Sequence, residues 1–546
     1  MKKILYILPL LIALSSCKKW LDVNKNPDVA DATVPTAPQR LAPIIAQFAD
    51  GYESAGTRAA FLSQQLGVTY AVTNNWNLTR WYVNAANGGF PWQSWYVNTA
   101  SNIDPIIAAA EKVGANHYIG IAKIMKAWGF GTMADLYGIL PYDEFDKPLI
   151  ITPKFDDGSY VQDKILVLLD EGIADLSKAQ SAGAPVLSYA NGDILNSGKT
   201  DNWIRLAYSL KARFLNHLSK KATYNPQAVL DALSKGIQTD LQSSILQYID
   251  EGPTVPAINK EALQYSNTGT TARVTKLYVD FITNNYTGAP TGATNMLDPR
   301  TDLLIPSLQN SAGVLVRSIG MDMASELPKN RPLAYSLLAN GSLSNADSVY
   351  ISMRKNPYMP TTGQRILSTG TWYTQRGGKG MLFTNAEARF IEAEVKFRQN
   401  QTGPALTAYK AGIESHMRIM GVDPAKIIAY LGSSSVVQNP ATLTLSHIMI
   451  QKYIALSYSP ELYSDVRRMN YCTDASGNYN ETTGIYKGFK RPSHVYTESY
   501  PNVTDWPRRF AIPSYEINYN IVEVKKADPG AELPTYINKA IWWDKP

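Results

Sequence analysis

Residues 202–221 read NWIRLAYSLKARFLNHLSKK, and their spacing decides the fold class. Trp203, Leu206, Leu210, Phe214 and Leu218 recur every three or four positions, which places them on one face of an α-helix. Arg205, Lys211 and Lys220 fall where they reach water, so the apolar face is core. The same spacing runs through 41–66, 92–112, 116–136 and 160–179, and returns at 384–399, 403–420, 441–458 and 460–469. Between about 239 and 381 it gives way to clusters of Pro, Gly, Asn and Thr with short apolar pieces such as Val314-Leu315-Val316, the composition of loops and turns with a few strands. The stretch 471–546 is again rich in Tyr, Pro and Asn. The pattern predicts a mainly α protein, with a helical scaffold over about 40–238 and 384–470 and a loop-rich region over about 239–383 and 471–546. Successive helix pairs of this length resemble tetratricopeptide hairpins, although no steady repeat of roughly 34 residues runs through them.

The N-terminus reads as a secretion signal. Lys2 and Lys3 precede an apolar run from Ile4 to Leu14, which leads into Ser15-Ser16-Cys17. The run is shorter than the roughly 20 residues a membrane-spanning helix needs, and Lys18 and Lys19 follow at once. Leu14 three residues before Cys17, with small residues between, matches the site at which bacterial lipoproteins are acylated and cut. Residues 1–16 are therefore expected to be a lipoprotein signal peptide, with the mature chain starting at an acylated Cys17. Each buried methylene adds about 0.8 kcal/mol, so two or three acyl chains make a stable anchor. Residues 18–39, with Asn26-Pro27-Asp28, Pro35 and Pro38, read as a tether or packed strap. Cys472 is the one other cysteine, so no disulfide framework is expected. The 546 residues, 45% of them hydrophobic, suffice for a large core.

Removing Lys2 and Lys3 lowers the formal charge from +6 to +4, and the remaining charges are interspersed, which argues against nucleic acid as a partner. The chain holds 33 Tyr, 11 Trp and 13 Phe among many amide and hydroxyl side chains, with 18% charged residues. Flat amphipathic rings stack on the C–H faces of sugars while amides meet the hydroxyls, so the composition suits carbohydrate.

Motifs of catalysis and cofactor binding fail on spacing or context. His117, His217, His416, His447 and His494 are too scattered for a zinc motif, so no metal site is expected. Gly198-Lys199-Thr200 lies one residue out of step with Gly192 for a phosphate loop, and reads as the turn that starts a helix. Gly129-Phe130-Gly131-Thr132-Met133-Ala134 fits a relaxed dinucleotide fingerprint but follows a helical stretch instead of a strand. No G-x-S-x-G elbow occurs, and acid pairs such as Asp143 with Glu144 carry little specificity. Glu387, Arg389, Glu392 and Glu394 share a helix, where structural pairing is the expectation. No catalytic residue and no cofactor are expected.

The run Asn74-Asn75-Trp76-Asn77-Leu78-Thr79-Arg80-Trp81-Tyr82 alternates aromatic planes with amides and a guanidinium in a segment between helices, as a binding rim would. Trp76, Trp81 and Tyr82 are the expected stacking surfaces, and Asn75, Asn77 and Arg80 the expected donors to hydroxyls. Trp372 and Tyr373, flanked by Gly370, Arg376, Gly377 and Gly378, form a second candidate on the same reasoning. The competing assignment for any one of these tryptophans is a plug in the core.

Several separated motifs together resemble the SusD/RagB family of Bacteroidetes nutrient-uptake lipoproteins, from Cys17 to near the C-terminus. They begin with Ser16-Cys17, Trp20-Leu21-Asp22 and Asn26-Pro27-Asp28, then Trp92 to Tyr96 with Asn102. The most specific is Gly129-Phe130-Gly131-Thr132-Met133-Ala134-Asp135-Leu136-Tyr137-Gly138 with Pro141-Tyr142. Asn385-Ala386-Glu387-Ala388-Arg389-Phe390 with Ala393-Glu394 follows, then Tyr409 with Gly412-Ile413, Gln451-Lys452-Tyr453, Glu461-Leu462-Tyr463 and Arg467-Arg468. Trp506-Pro507-Arg508-Arg509-Phe510 with Pro513, Glu516 and Asn518 closes the series.

The resemblance implies four tetratricopeptide-like hairpins plus a looped ligand-bearing half, sitting as a lid over a SusC-like TonB-dependent outer-membrane transporter. It implies a protein that binds nutrient without cleaving it, lipid-anchored in the outer membrane and facing the cell exterior. The family motifs look structural, which moves Trp92, Trp95 and Tyr96 away from the ligand and leaves the 74–82 segment as the better site. The family's surface-export signal places acids soon after the acylated cysteine, whereas here Lys18, Lys19 and Trp20 precede Asp22. The expected ligand is an oligosaccharide. The alternatives are a peptide ligand in the same fold, or a structural component of the transporter complex that binds nothing. A surface hydrolase would need two positioned carboxylates or an activated nucleophile, which no motif supplies.

Overall fold

The computed structural model describes residues 35–68, 76–249, 272–309, 315–325, 351, 353, 357–358, 366–375 and 377–545. Cys17, the 1–16 segment, Asn75, Val314 and Arg376 lie outside them.

The chain folds as a predominantly α-helical protein, and each amphipathic segment becomes a helix. Helix α1 spans Ala37–Leu62 and starts with Thr36 and Gln39 in a reciprocal capping box. Short turns at Gly89–Gln93, Ser94–Thr99 and Ala100–Asn102 lead into α2, Ile103–Glu111. Then come α3 (Asn116–Tyr137), α4 (Gly158–Leu176), α5 (Thr200–His217) and α6 (Pro226–Lys235). A short α7, Lys276–Ile282, stands within the loop-rich part. The scaffold resumes with α8 (Asn385–Arg398), α9 (Thr402–Ile419), α10 (Pro424–Gly432), α11 (Leu445–Ala455) and α12 (Pro460–Arg468). Side chains of Asp157, Asn225, Thr275, Thr384, Asp423, Thr444 and Ser459 accept from the first-turn amides of seven of these helices, which fixes where each begins.

Helices that follow one another pack together: α3 on α4, α5 on α6 and α8 on α9, with α4 joining α5. Two returns close the arrangement, because α11 packs on α8 and α12 lies along α1. The expected face of α5 is core, with Trp203, Leu206, Leu210 and Phe214 buried. Glycine permits the closest approaches. A Cβ on Gly120 would lie 2.7 Å from the Gly172 carbonyl oxygen, where α3 crosses α4. Inside α3, a Cβ on Gly129 would lie 1.9 Å from Trp95 Cζ3, and one on Gly131 2.3 Å from Phe214 Cζ. The Gly-x-Gly in this motif is thus a packing surface in mid-helix. Likewise Gly198-Lys199-Thr200 leads into α5, and the carboxylate of Asp193 accepts the Gly198 amide at 2.7 Å and the Trp203 indole at 3.0 Å.

The strands among the described residues are short antiparallel clips, such as Ser244–Gln247 with Lys379–Phe383. The clip that shapes the site pairs Leu66–Gly67, just after α1, with Arg273–Val274, just before α7. It holds the start of α7 against the end of α1, and the Lys276 amide then donates to the Met321 carbonyl at 2.8 Å.

Candidate functional site

Charged residues of the sequence motifs meet in one buried network that ties the helices together. Arg213 of α5 makes a bidentate pair with Glu387 of α8 at 2.7 and 2.8 Å. Arg468 of α12 does the same with Glu394 at 2.7 and 2.8 Å, and also reaches Asp465 at 2.7 Å. Lys452 of α11 pairs with Asp465 at 2.8 Å, and all of these side chains are buried. Glu387 and Glu394 thus pair structurally with other helices, Glu394 also pairing with Arg398 of α8 at 3.1 Å, and Arg468 holds the Glu394 carboxyl well below its usual range despite burial. Sequence spacing could not show the pairs between helices, since the partners lie more than 70 residues apart.

The same network gathers Asp135, His217 and Glu461, three side chains of metal-ligating type. A carboxylate stands beside each ring nitrogen of His217. His217 Nε2 lies 2.8 Å from Glu461 Oε1, and Nδ1 lies 3.3 Å from Asp135 Oδ2. Burial opposes the charge on the ring, but the two carboxylates outweigh it and push the His217 pKa up to about 9. Trp543 Nε1 fills a further site on Asp135 at 2.7 Å, completing a structural cluster.

A cavity of about 500 Å³, a size that accommodates a small ligand, opens beside α7. Three segments and Gln64 wall it. Lys276, Asp280 and Asn284 to Thr287 come from α7 and the turn after it, Asp322 and Met323 from the strap beside it, and Glu481, Lys487 and Lys490 from a C-terminal loop. Hydrogen bonds fix the walls. Gln64 at the end of α1 donates to the Lys490 carbonyl at 2.5 Å, Ser493 N to the Met323 carbonyl at 2.9 Å, and Asn284 to the Ser435 carbonyl at 2.8 Å. The lining is rich in amide, hydroxyl and charged groups, with Tyr286 as its aromatic side chain.

The expected site residues divide around this cavity. Trp76 opens a short helical turn, Trp76–Thr79, is half-buried, and packs against Met321 and Met323. Met323 also lines the cavity, so Trp76 stands one side chain away from it. Its ring meets His494 edge-on at 5.3 Å. Tyr82 is half-buried and stacks on Tyr496 at 4.1 Å. Arg80 donates to the His494 carbonyl at 3.1 Å, with its guanidinium 5.0 Å from the centre of the Tyr496 ring. Asn77 is half-buried in the same turn. The segment therefore docks on residues 494–496, which sequence reading did not single out.

Two expected stacking residues require correction. Trp81 is fully buried, with its ring 5.4 Å from Trp506, 6.0 Å from Tyr500 and 6.2 Å from Phe489. It is a core plug, held on a backbone with a positive φ of 64°. Tyr373 is buried as well, meeting Tyr458 edge-on at 5.1 Å, so it offers no open face to a sugar. Trp372 stays half-buried beside it, and the pair clusters with Tyr458 and not with Trp76. Trp92 and Trp95 are core, as the motif reading implied.

The cavity residues carried a sequence signal that went unread. Asn284-Asn285-Tyr286 repeats the order of two amides and an aromatic ring seen at Asn74-Asn75-Trp76, and Thr287 adds a hydroxyl. Lys487 and Lys490 gave no signal of this kind.

With this geometry in place, a family profile described as "SusD-like_2: Starch-binding associating with outer membrane" matches residues 30–480. The chain belongs to the SusD-like family. Its SusD-like fold is shared with solved structures. A protein described as a chitin-binding protein is 18% identical with a TM-score of 0.66, the match covering 94% of this chain and 100% of the other. A SusD/RagB family protein from Bacteroides thetaiotaomicron is 20% identical, with a TM-score of 0.65 and coverage of 93% and 99%. A chitin-binding SusD homologue from Flavobacterium johnsoniae is 17% identical, with a TM-score of 0.61 and coverage of 93% and 97%. A comparison with curated protein sequences found no match. SusD-like proteins associate with the outer membrane, and among the described residues no helix is long and apolar enough to cross one.

Proposed function

We propose that this chain captures an oligosaccharide at the outer membrane and passes it, uncleaved, to a SusC-like TonB-dependent transporter over which it sits as a lid. Acyl chains on Cys17 hold it to the membrane, facing the cell exterior. The observation that carries this reading is the cavity of about 500 Å³, walled by amide, hydroxyl and charged side chains and reached from Trp76 through Met323. Hydroxyl-rich ligands need many short polar contacts and a few flat apolar surfaces, and the cavity with its aromatic margin offers both. The starch-binding description of the family and the chitin-binding description of two structural relatives support a glycan over a peptide. Trp76, Asn75, Asn77, Arg80, Tyr82 and Trp372 remain the proposed contacts from the sequence, to which the cavity adds Asn284, Asn285 and Tyr286. The buried carboxylates are already paired with Arg213, His217, Lys452 and Arg468, which supports a binding role without catalysis.

The test is calorimetric titration of the soluble chain starting at Lys18 with a panel of oligosaccharides and peptides, repeated with Trp76→Ala. Selective glycan binding, weakened at least tenfold in the variant and with no cleavage products, is the expected result. Binding to peptides alone, or to nothing, would overturn the glycan reading.

A further inference from the structure

A second, much smaller cavity lies where α1, α3, α5 and α12 meet, beside His217. Tyr52 of α1, Thr132 and Asp135 of α3, Arg213 of α5, and Glu461 and Ser464 of α12 line it together with a few apolar groups, and every lining residue is buried. The space open to the centre of a water-sized sphere is about 10 Å³, so a water molecule fits. Internal cavities that stay dry are lined by apolar groups, whereas polar ones of this size hold water.

The polar groups around the cavity are incompletely bonded by the protein. Glu461 Oε1 meets His217 Nε2 at 2.8 Å, but Oε2 stands 3.8 Å from Arg213 Nε, which donates to Glu387 at 2.7 Å. Asp135 Oδ1 accepts from the Trp543 indole at 2.7 Å, but Oδ2 lies 3.3 Å from His217 Nδ1, a nitrogen that makes no aligned hydrogen bond. The Tyr52 hydroxyl has long contacts, 3.3 Å to Ser459 Oγ and 3.4 Å from Arg213 Nη1. Ser464 Oγ accepts from Arg467 Nη2 at 3.1 Å and keeps its own proton to donate. A buried carboxylate oxygen without a well-aimed donor bears its desolvation cost unrelieved. An oxygen of Asp135 and one of Glu461 lie within 4.8 Å of each other, a gap that a water bridges at about 2.8 Å a side.

The charges call for no further ion. Asp135, Glu387 and Glu461 outnumber Arg213 and protonated His217 by one. The adjoining Lys452, Arg468 and Arg398 outnumber Asp465 and Glu394 by one, which restores the balance. The missing partner is therefore a neutral group that can donate twice.

We infer that this cavity is a binding site for one internal water, which donates to Asp135 and Glu461, accepts from the Ser464 hydroxyl, and completes the junction of the four helices. The carboxylate that the 129–138 motif places here thus serves the interior of the scaffold, whatever ligand the outer cavity takes.

The test is a crystal structure of the soluble chain starting at Lys18, at a resolution that orders solvent, from crystals grown with rubidium in place of sodium and potassium. The expected result is a solvent peak about 2.7–3.0 Å from an oxygen of each carboxylate, with no anomalous scattering from rubidium. Oxygen-17 relaxation dispersion then counts long-lived waters in solution for Ser464→Ala and Ser464→Val. Both variants lose the Arg467 contact, so their difference reports the cavity, and the bulkier valine should hold at least one water fewer. No peak in the cavity, a peak that scatters as rubidium, or equal counts in the two variants overturns the inference.

Discussion

Trp81→Ala separates packing from ligand contact at the position where sequence and structure disagree most. The Trp81 side chain is fully buried among Tyr471, Phe489, Tyr500 and Trp506, and its indole nitrogen has no hydrogen-bond partner. Truncation therefore removes apolar burial and ring contacts without breaking a hydrogen bond. An indole buries about 200 Å², which at about 25 cal/mol/Å² amounts to about 5 kcal/mol. Partial collapse of the cavity keeps the loss for such truncations in the range of about 3–5 kcal/mol. Alanine keeps the positive φ of 64°, so backbone strain neither adds nor relieves anything. Guanidinium unfolding followed by far-UV circular dichroism should show a lower midpoint at unchanged slope. Tyr82→Ala provides the control, since its half-buried ring loses the stack on Tyr496, worth about 0.5–1.5 kcal/mol, and only part of a core contact, and should cost less than Trp81→Ala. A Trp81→Ala protein with wild-type stability and lost glycan binding would refute the core assignment.

Other perturbations probe the helix framework. Glu387→Leu leaves the buried Arg213 guanidinium with only the more distant Glu461 carboxylate, 3.8 Å away, and should cost about 3 kcal/mol in chemical unfolding, with a second Arg213→Met change restoring part of the loss. The cluster at His217 sets a pH window. Its pKa of about 9 lies above the ordinary 6.5, so its contribution is full below pH 6.5 and is lost as pH rises through 9. Burial alone would raise the Glu461 pKa, yet His217 and Arg213 hold it down to about 2, so its contribution is full above pH 4.5 and fades as pH falls toward 2. Thermal melts across pH 3–10 should decline at both ends, and His217→Gln should flatten the alkaline decline. Gly129→Ala drives a methyl into Trp95 and should destabilise the fold by about 1–3 kcal/mol, read as a lower unfolding midpoint.

The scaffold was legible because its long helices bury one face, and burial imposes a period on the sequence. Trp203 to Phe214 in α5 shows this directly. Of the short helices, α12 was legible at nine residues, while α6, α7 and α10, of seven to ten residues, offer few turns to carry the period. The site was legible only in part. Trp76 and Trp81 stand in the same local pattern, yet one reaches the cavity margin and the other fills the core. Rings from 471–506, some 400 positions further along the chain, decide the difference. The cavity itself joins α7 with the 481–490 loop, and lysines scattered in such loops carry no periodicity that marks them as neighbours. The ion network was equally hidden, because Arg213 and Glu387 meet only once α5 and α8 have packed.

The most direct test of the account is amide hydrogen exchange of the soluble chain with and without saturating oligosaccharide. Slower exchange concentrated in 276–287 and 481–490, with a smaller effect at 76–82, is the predicted result. Protection confined to other segments, or none despite bound ligand, would contradict the placement of the binding site in this cavity.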